Sequence, residues 1–289
     1  MTGTLLSLGH GYCAQALAAR LLPQGWRVIG TYRRDGEDAA LRATGVTPLE
    51  WPARALGAAL EQATHVLCSI APGAAGDPAL AAFGAEIAAA RHLKWVGYLS
   101  STAVYGDHAG GWVDEDTPAE AGEGRGAARI TAEAGWREVC ASAGVPCHIF
   151  RLTAIYGPGR APFDRLRAGT AQRIVKPGLV FCRIYVDDIA QALAASMNAP
   201  FPQGALWNLA DNEPATPQDV AGFAAELLGI APPPEIPFDQ AEMSPMAASF
   251  YAASRRVRND RVKHDLGLRL MYPDYRAGLA AILEGEGGG

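Results

Sequence analysis

Short apolar segments alternate with longer alanine-rich segments over the first 158 residues of this chain. The apolar segments show no polar–apolar alternation, which is typical of strands buried on both faces of a parallel sheet. Strands separated by segments of helical length imply right-handed crossovers. The pattern therefore predicts an α/β fold with a doubly wound parallel sheet. The expected strands are residues 4–8, 27–32, 64–70, 95–100 and 147–152, with a further strand at 206–209.

A glycine-rich turn lies between the first predicted strand and the first predicted helix. Gly9, Gly11 and Ala14 form a G-x-G-x-x-A pattern, whose glycines allow a tight turn and close approach of a pyrophosphate to the backbone. The following helix offers free N–H groups to negative charge. In this context the turn predicts a Rossmann-type dinucleotide site, and a turn without a ligand is the alternative. The expected contacts are Gly9, His10, Gly11, Tyr12, Cys13 and Ala14, with the His10 side chain pointing into solvent.

The end of the second predicted strand bears on the choice of cofactor. An NAD site usually places Asp or Glu there to hold the ribose 2′-hydroxyl. This chain has Tyr32 followed by Arg33 and Arg34, and Asp35 and Glu37 come too late to be the usual acid. Paired guanidinium groups suit a 2′-phosphate, so NADP(H) is favoured and NAD(H) stays open, as does a role for both arginines as solvated charges. Further cofactor contacts are expected at Ser69, Ala71 and Pro72.

The strand–helix pattern breaks up after residue 158, and prolines punctuate the chain from Asn212 onward. We expect a dinucleotide-binding core of residues 1–158, to which residues 183–211 return. The smaller, substrate-binding lobe is expected to comprise residues 159–182 and 212–289.

The composition argues against several classes of partner. A formal net charge of −5 leaves no basic surface for nucleic acid. No apolar run approaches the roughly 18 residues that span a bilayer, and no signal peptide is expected. The five cysteines are scattered and lack metal-ligand spacing, which predicts reduced, buried thiols, no metal site and a cytoplasmic location.

Several segments of the chain occur in the order that they have in one protein family. The chain resembles the extended short-chain dehydrogenases/reductases and is similar to the NAD(P)-dependent epimerase/dehydratase family, in its atypical branch. The resembling segments are S-S-x-x-V-Y-G at 100–106, D-E-x-x-P at 114–118, Y-G-P-G at 156–159, R-I-x-V-D-D-x-A at 183–190 and N-x-x-D at 208–211.

The resemblance implies hydride transfer, with a Ser or Thr that binds the substrate oxygen and a Tyr-x-x-x-Lys pair. Ser101 matches the Ser, with Thr102 beside it, and Ser100 is expected to contact the cofactor. Arg125 and Arg129 stand at the Tyr and Lys positions. Arginine cannot exchange a proton near neutral pH, although Arg129 can donate to a ribose hydroxyl and Arg125 can stabilise an anion. The resemblance also leaves a homodimer open.

An acid for catalysis must therefore come from elsewhere. Tyr105 is the nearest tyrosine by resemblance, and for this residue, Tyr156 and Tyr185 a packed aromatic with a bonded hydroxyl is the alternative. The expected catalytic residues are Ser101, Thr102, Tyr105, Arg125 and Arg129. The expected substrate-binding residues are Tyr156, Arg160, Arg183 and Tyr185, whose arginines can hold an anionic group or form surface ion pairs.

Two functions follow from these observations. The first is an NADP(H)-dependent oxidoreductase or epimerase-like enzyme that acts on a small polar substrate. The second is a non-catalytic dinucleotide-binding redox sensor or regulatory protein. A predicted helix over residues 186–197 opens with Asp187 and Asp188, whose carboxylates we expect to cap its N-terminus.

Overall fold

The structure is a computed structural model that describes residues 2–52, 55–201, 203–243, 248 and 250–287. Its centre is a seven-stranded, wholly parallel sheet in the order β11-β7-β5-β4-β1-β2-β3. The strands are β1 (Thr4–Leu8), β2 (Arg27–Tyr32), β3 (Thr47–Glu50), β4 (His65–Cys68), β5 (Trp95–Ser101), β7 (Cys147–Leu152) and β11 (Ala205–Leu209).

Helices cover both faces of this sheet. Within the described residues the α-helices are α1 (Tyr12–Leu21), α2 (Glu37–Ala43), α3 (Leu56–Gln62), α4 (Pro78–Ala89), α5 (Arg125–Ala143), α6 (Phe163–Arg167), α7 (Val186–Ser196), α8 (Pro217–Leu227), α9 (Asp260–Leu266) and α10 (Tyr275–Gly287). Apolar side chains of α1 and α7 form one core cluster with one face of the sheet. Those of α3, α4 and α5 form a second cluster with the other face. The layered α/β architecture confirms the predicted fold class.

One strand of the sheet was not predicted. β3 has the sequence Thr47-Pro48-Leu49-Glu50, and its side chains are half-buried or exposed. It pairs only with β2 at the edge of the sheet, where proline is tolerated and no apolar run is needed. The prediction of residues 64–70 as one strand was also too long, because β4 ends at Cys68 and an irregular segment follows.

Three short parallel pairs lie outside the main sheet. They join β6 (Trp112–Val113) to β13 (Arg256–Val257), β8 (Ala154–Tyr156) to β10 (Arg183–Tyr185), and β9 (Arg173–Val175) to β12 (Glu235–Pro237). In each pair, a segment outside the main sheet forms backbone hydrogen bonds with a segment that comes later in the chain. Among the helices described, none is long and apolar enough to cross a membrane.

Candidate dinucleotide and substrate site

The order of the strands places a crevice at the carboxyl ends of β1 and β4. From β1 the chain continues to β2 and β3 on one side, whereas β4, β5, β7 and β11 lie on the other. Crevices at such a reversal are the usual ligand sites of open parallel sheets. The turn from Gly9 to Gly11 follows β1, and the segment from Ser69 to Pro72 follows β4. The predicted cofactor residues of these two segments therefore lie next to each other at the carboxyl edge of the sheet.

Gly9 is held in a conformation and a space that favour glycine. Its φ is +79°, and a Cβ atom there would lie 2.7 Å from Ile70 Cγ1. The Gly9 N–H donates to Thr31 Oγ1 at 2.7 Å, and Ser69 Oγ donates to the Gly9 carbonyl. The turn is thus tied both to β2 and to the segment after β4. Thr31 was not predicted, since its place on β2 becomes relevant only once β1 and β2 pair.

The first turn of α1 begins directly after Gly11, whose N–H donates to the Gly9 carbonyl at 2.7 Å. Ala14 is fully buried, which lets the helix approach the sheet closely. Cys13 is also buried, and burial raises the pKa of its thiol to about 11, so it stays protonated near neutral pH. The Tyr12 hydroxyl donates to the Pro158 carbonyl at 2.9 Å.

His10 differs from the prediction, which placed its side chain in solvent. The residue is only 6% exposed, and its ring lies against Gly30 of β2. Neither ring nitrogen has a hydrogen-bond partner among the described residues. Burial lowers the pKa of His10 to about 4, so the imidazole is neutral at physiological pH.

The loop after β2 is organised by an acid that the prediction set aside. Glu37 Oε2 accepts hydrogen bonds from the backbone N–H groups of Arg33 and Arg34 at 3.2 and 3.1 Å. Its Oε1 accepts a hydrogen bond from Arg34 Nε at 2.8 Å. These backbone hydrogen bonds, together with the Arg34 side chain, lower the pKa of Glu37. Arg33 and Arg34 are exposed and Tyr32 is half-buried. Arg34 is therefore held by an ion pair, whereas Arg33 extends into solvent.

The hydroxyl groups of Ser100, Ser101 and Thr102, at the end of β5, do not share one environment. Ser100 Oγ donates to Glu133 Oε1 at 2.6 Å in the core, and Thr102 Oγ1 donates to the Leu152 carbonyl at 3.3 Å. Both side chains are buried and already hydrogen-bonded, and their contacts with a cofactor or substrate stay predictions. Ser101 Oγ accepts the Ala103 N–H at 3.2 Å, and this residue is half-buried. Of the three hydroxyls, that of Ser101 is the accessible one.

Tyr105 is a core residue. It is 2% exposed, and its hydroxyl donates to Asn208 Oδ1 at 2.8 Å while the Arg151 guanidinium lies 4.8 Å from its ring centre. The backbone N–H of Asn208 donates in turn to Glu115 Oε1 at 2.7 Å. The Tyr105 hydroxyl is therefore already engaged inside this network, and its role as a catalytic acid stays a prediction.

The two arginines at the Tyr and Lys positions occupy the start of α5. Arg125 is its first residue and is exposed. Arg129 lies one turn later, and its Nη1 donates to Tyr98 Oη at 3.1 Å and to the Leu99 carbonyl. Arg129 is thus anchored on β5, next to the end of the strand where Ser101 lies.

A buried ion pair that sequence reasoning missed fixes α5 on the sheet. Glu133 is 2% exposed, and its carboxylate accepts Arg151 Nε at 3.0 Å and Nη2 at 2.8 Å. The bidentate contact gives the carboxylate a neighbouring positive charge and two hydrogen bonds, and Ser100 donates a third. The pair joins α5 to β5 and β7, and so positions the helix that carries Arg125 and Arg129. No spacing rule links residues on a helix and a strand that are this far apart in the chain.

A cavity of about 750 Å³ lies beside the crevice. Arg160, Arg165 and Arg183 line it, together with the acids Asp164 and Glu242. Its apolar lining includes Tyr156, Phe181, Tyr251, Phe250, Tyr275 and Leu279.

The three arginines of the cavity wall are held differently. Arg183 Nη1 donates to the carbonyls of Phe181 and Ala215 at 3.2 and 3.1 Å. The exposed Arg160 guanidinium lies 4.2 Å from the ring centre of Tyr12, at the glycine turn. Arg165 lies on α6 and is exposed. The cavity can therefore present positive charge to a bound anion.

The tyrosines predicted to bind substrate divide into one that lines the cavity and one that does not. Tyr156 lines it, although its hydroxyl donates to the Asp274 carbonyl at 3.1 Å, and burial raises its pKa. Tyr185 is 3% exposed and stacks on Tyr272 with ring centres 3.8 Å apart. It is absent from the cavity lining that the structure describes, and its contact with substrate stays a prediction.

Buried carboxyl groups lie behind the cavity. Asp211 is 2% exposed, and burial raises its pKa to about 8, although the positive charge of Arg183 acts in the opposite direction.

Asp188 does not cap α7 as predicted. Its Oδ1 and Oδ2 instead accept the N–H groups of Met271 and Tyr272 at 2.7 and 3.1 Å.

Comparison with known proteins agrees with this geometry. Residues 85–210 match the NAD dependent epimerase/dehydratase family. A functionally unknown conserved protein from Silicibacter pomeroyi DSS is 53% identical, and the alignment covers 98% of this chain and 99% of that one with a TM-score of 0.93. Residues 85–210 of the chain are therefore similar to the NAD dependent epimerase/dehydratase family. This confirms the resemblance to that family.

More distant structures share the fold. Human epimerase family protein SDR39U1 (isoform 2), solved with NADPH, is 19% identical over 98% of this chain and 99% of that chain, with a TM-score of 0.76. UDP-glucuronic acid 4-epimerase from Bacillus cereus, solved in complex with NAD, is 15% identical over 97% of both chains, with a TM-score of 0.75. A comparison with curated proteins gives no match.

Proposed function

We propose that this protein is an NADP(H)-preferring oxidoreductase or epimerase-like enzyme that acts on a small polar substrate with an anionic group. The observation that carries the proposal is the contact between the glycine turn and the cavity. Tyr12, in the first turn of α1, lies under the guanidinium of Arg160, which lines the cavity. A dinucleotide on the turn and a substrate in the cavity would therefore be neighbours. The nicotinamide, when bound, supplies or accepts a hydride.

The residues of the chain would divide the remaining work. Ser101, the last residue of β5, has the accessible hydroxyl and would orient the substrate oxygen. Arg129, anchored on β5, would donate to a cofactor hydroxyl, and Arg125 would stabilise negative charge. Arg165 and Arg183 would hold the anionic group of the substrate. Neither arginine of α5 can act as the acid, because a guanidinium keeps its proton near neutral pH.

The preference for NADP(H) rests on Arg33 and Arg34. Calorimetric titration of the wild type should give tighter binding of NADPH than of NADH. The double variant Arg33→Ala, Arg34→Ala should lose about tenfold or more in NADPH affinity, because charge-assisted bonds to a phosphate contribute about 1.5–3 kcal/mol each. Its NADH affinity should change little. Arg33→Ala alone should cost more than Arg34→Ala, since Glu37 already holds Arg34.

Arg42→Ala is the matched control, since Arg42 is an exposed arginine of α2 paired with Asp38. It should leave both affinities unchanged. Unchanged NADPH affinity in the double variant would show that the two arginines do not select the cofactor. Absence of binding to either dinucleotide would refute the proposed function itself.

A non-catalytic redox sensor is the second candidate, and specific observations favour it. Arginines replace the Tyr and Lys of α5, and the hydroxyls of Thr102 and Tyr105 are engaged inside the core. A screen of sugars, aldehydes and keto acids for NADPH oxidation separates the two candidates. Turnover that falls in a Ser101→Ala variant supports the enzyme. Firm NADPH binding without turnover of any compound supports the sensor.

A further inference from the structure

A ladder of aromatic rings crosses the sheet near the amino ends of its strands, at the edge opposite the crevice. Indole and imidazole rings alternate along it, with 4.8 to 6.1 Å between neighbouring ring centres, in the order Trp26, His65, Trp95, His148 and Trp207. All five residues are buried, with at most 8% exposure. Two imidazoles therefore lie among three indoles, where water cannot solvate a charge.

The hydrogen bonds of His148 determine which of its ring nitrogens carries the proton. Trp95 Nε1 lies 2.8 Å from His148 Nδ1, and an indole nitrogen can only donate, so Nδ1 is the acceptor. The single proton of the neutral ring is then on Nε2, which donates to the Phe201 carbonyl at 3.4 Å. His148, on β7, thus joins β5 to the segment that leads into β11.

A proton on Nδ1 would break this arrangement. The imidazolium has two N–H donors and no acceptor, so the Trp95 indole N–H would face a second N–H group and its hydrogen bond would be lost. The charge would also lie in the core, where none of the described carboxylates forms an ion pair with His148. Burial lowers the pKa of His148 to about 4, in agreement with this geometry.

The other buried imidazole of the ladder is not constrained in this way. His65 Nδ1 lies 2.8 Å from the Thr64 hydroxyl, which can donate or accept, so a proton on His65 need not break that bond. Asp265 is engaged elsewhere, because its Oδ2 accepts the Trp207 indole N–H at 2.9 Å. The titratable side chains on the elements packed around His148 are Cys147, Lys94, His65 and Asp265.

We propose that the hydrogen bond between Trp95 and His148 is an acid-sensitive lock on the sheet. Neutral His148 closes the lock and holds β5, β7 and the segment before β11 together, whereas protonated His148 opens it. The inference does not depend on the proposed function, because the ladder lies at the other edge of the sheet from the crevice.

The direction of the pH effect follows from proton binding. The folded chain leaves His148 unprotonated, whereas the unfolded chain protonates it below the ordinary histidine pKa of 6.5. The stability that the lock contributes is therefore present at neutral pH and is lost as the pH falls from about 6.5 to about 4.

Nitrogen NMR of the histidine rings tests the lock directly. At neutral pH the His148 ring of the wild type should carry its proton on Nε2 alone, and it should titrate only below about pH 5. Trp95→Phe keeps an aromatic ring but removes the indole donor. In this variant the pKa of His148 should rise towards its ordinary value.

Urea unfolding at several pH values tests the effect on stability. His148→Asn keeps an acceptor near the place of Nδ1 but cannot take up a proton. Between about pH 7 and about pH 5 the unfolding equilibrium constant should rise about twentyfold more in the wild type than in His148→Asn, given pKa values of about 4 and 6.5 in the folded and unfolded chains. A loss of packing that is independent of pH cancels in this comparison.

His264→Asn is the control, since His264 lies on α9 with a side chain that is 90% exposed, and it should follow the wild type. A wild-type His148 that titrates near its ordinary pKa, or that carries its proton on Nδ1 at neutral pH, overturns the inference. Equal pH dependence of the wild type and His148→Asn also overturns it. If neither variant folds, the wild-type ring resonances alone decide.

Discussion

The carboxyl group of Asp211 gives the clearest prediction at the scale of a single residue. Burial raises its pKa from 3.8 to about 8, so between these values the folded chain binds a proton that the unfolded chain lacks. The free energy of unfolding contributed by this group therefore falls as the pH rises through that window. Asp211→Asn cannot ionise. Its stability relative to wild type should increase between pH 5 and pH 8 by up to about 4 kcal/mol.

Urea unfolding of both proteins at several pH values measures this difference. Asp187→Asn is the control, because Asp187 is a half-buried carboxyl group in the first turn of α7. Parallel stability curves for wild type and Asp211→Asn would contradict this prediction, because they would show that Asp211 is already ionised in the folded chain at pH 5.

Single residues also show what could be read from the sequence. The glycine turn was predictable because its pattern constrains the backbone itself. The direction of the His10 side chain was not predictable. It depends on Gly30, a residue of another strand that has no side chain and so leaves room for the ring. Ser100 and Ser101 could have been separated beforehand. Neighbouring residues of a strand point to opposite faces, so both cannot face one crevice.

At the scale of elements, α5 depends on the buried pair of Glu133 and Arg151. Arg151→Met should lower the free energy of unfolding by about 3–5 kcal/mol, since it leaves a buried carboxylate without its partner. The double variant Glu133→Leu, Arg151→Met should recover much of this loss. Chemical unfolding measures both.

Arg137→Met is the matched control, because Arg137 lies 3.9 Å from Glu133 but has a side chain that is 50% exposed. It should change stability by less than about 1 kcal/mol. An equally small effect of Arg151→Met would mean that water reaches Glu133 and that the pair does not hold the helix.

The elements themselves were predictable to different degrees. The buried strands were apparent because apolar runs mark them in the sequence, and β1, β2 and β7 begin and end where expected. The edge strand β3 and the two- and three-residue pairs were not, because such strands gain their register from distant partners rather than from a local pattern. The ends of β4 were misjudged for the same reason.

At the scale of the whole molecule, Asp188 connects the core to the segment before α10. It accepts two backbone N–H groups, those of Met271 and Tyr272. Asp188→Ala should loosen residues 268–287, which include the cavity residues Tyr275 and Leu279. Hydrogen exchange should be faster there and unchanged in β1 and β2. NADPH affinity should stay within about twofold, since the Asp188 carboxylate binds the segment before α10 and makes no hydrogen bond to the glycine turn.

Asp187→Ala serves as the control, because Asp187 has no recorded side-chain hydrogen bond within the described residues. Uniform acceleration of exchange across the sheet would contradict the local role of Asp188. It would mean that the segment supports the entire fold instead of one wall of the cavity.

The two parts of the candidate site come from segments that are far apart in the sequence. The dinucleotide turn is built from β1, β2 and the segment ending at Pro72, whereas Tyr275 and Leu279 of the cavity are added only with α10. During translation the cofactor-binding residues therefore emerge from the ribosome long before the substrate cavity can close. A ligand that binds only folded chain favours folding by mass action. If this turn binds the proposed dinucleotide, cofactor supply rather than substrate supply is the condition that can influence the yield of folded protein while it is being made.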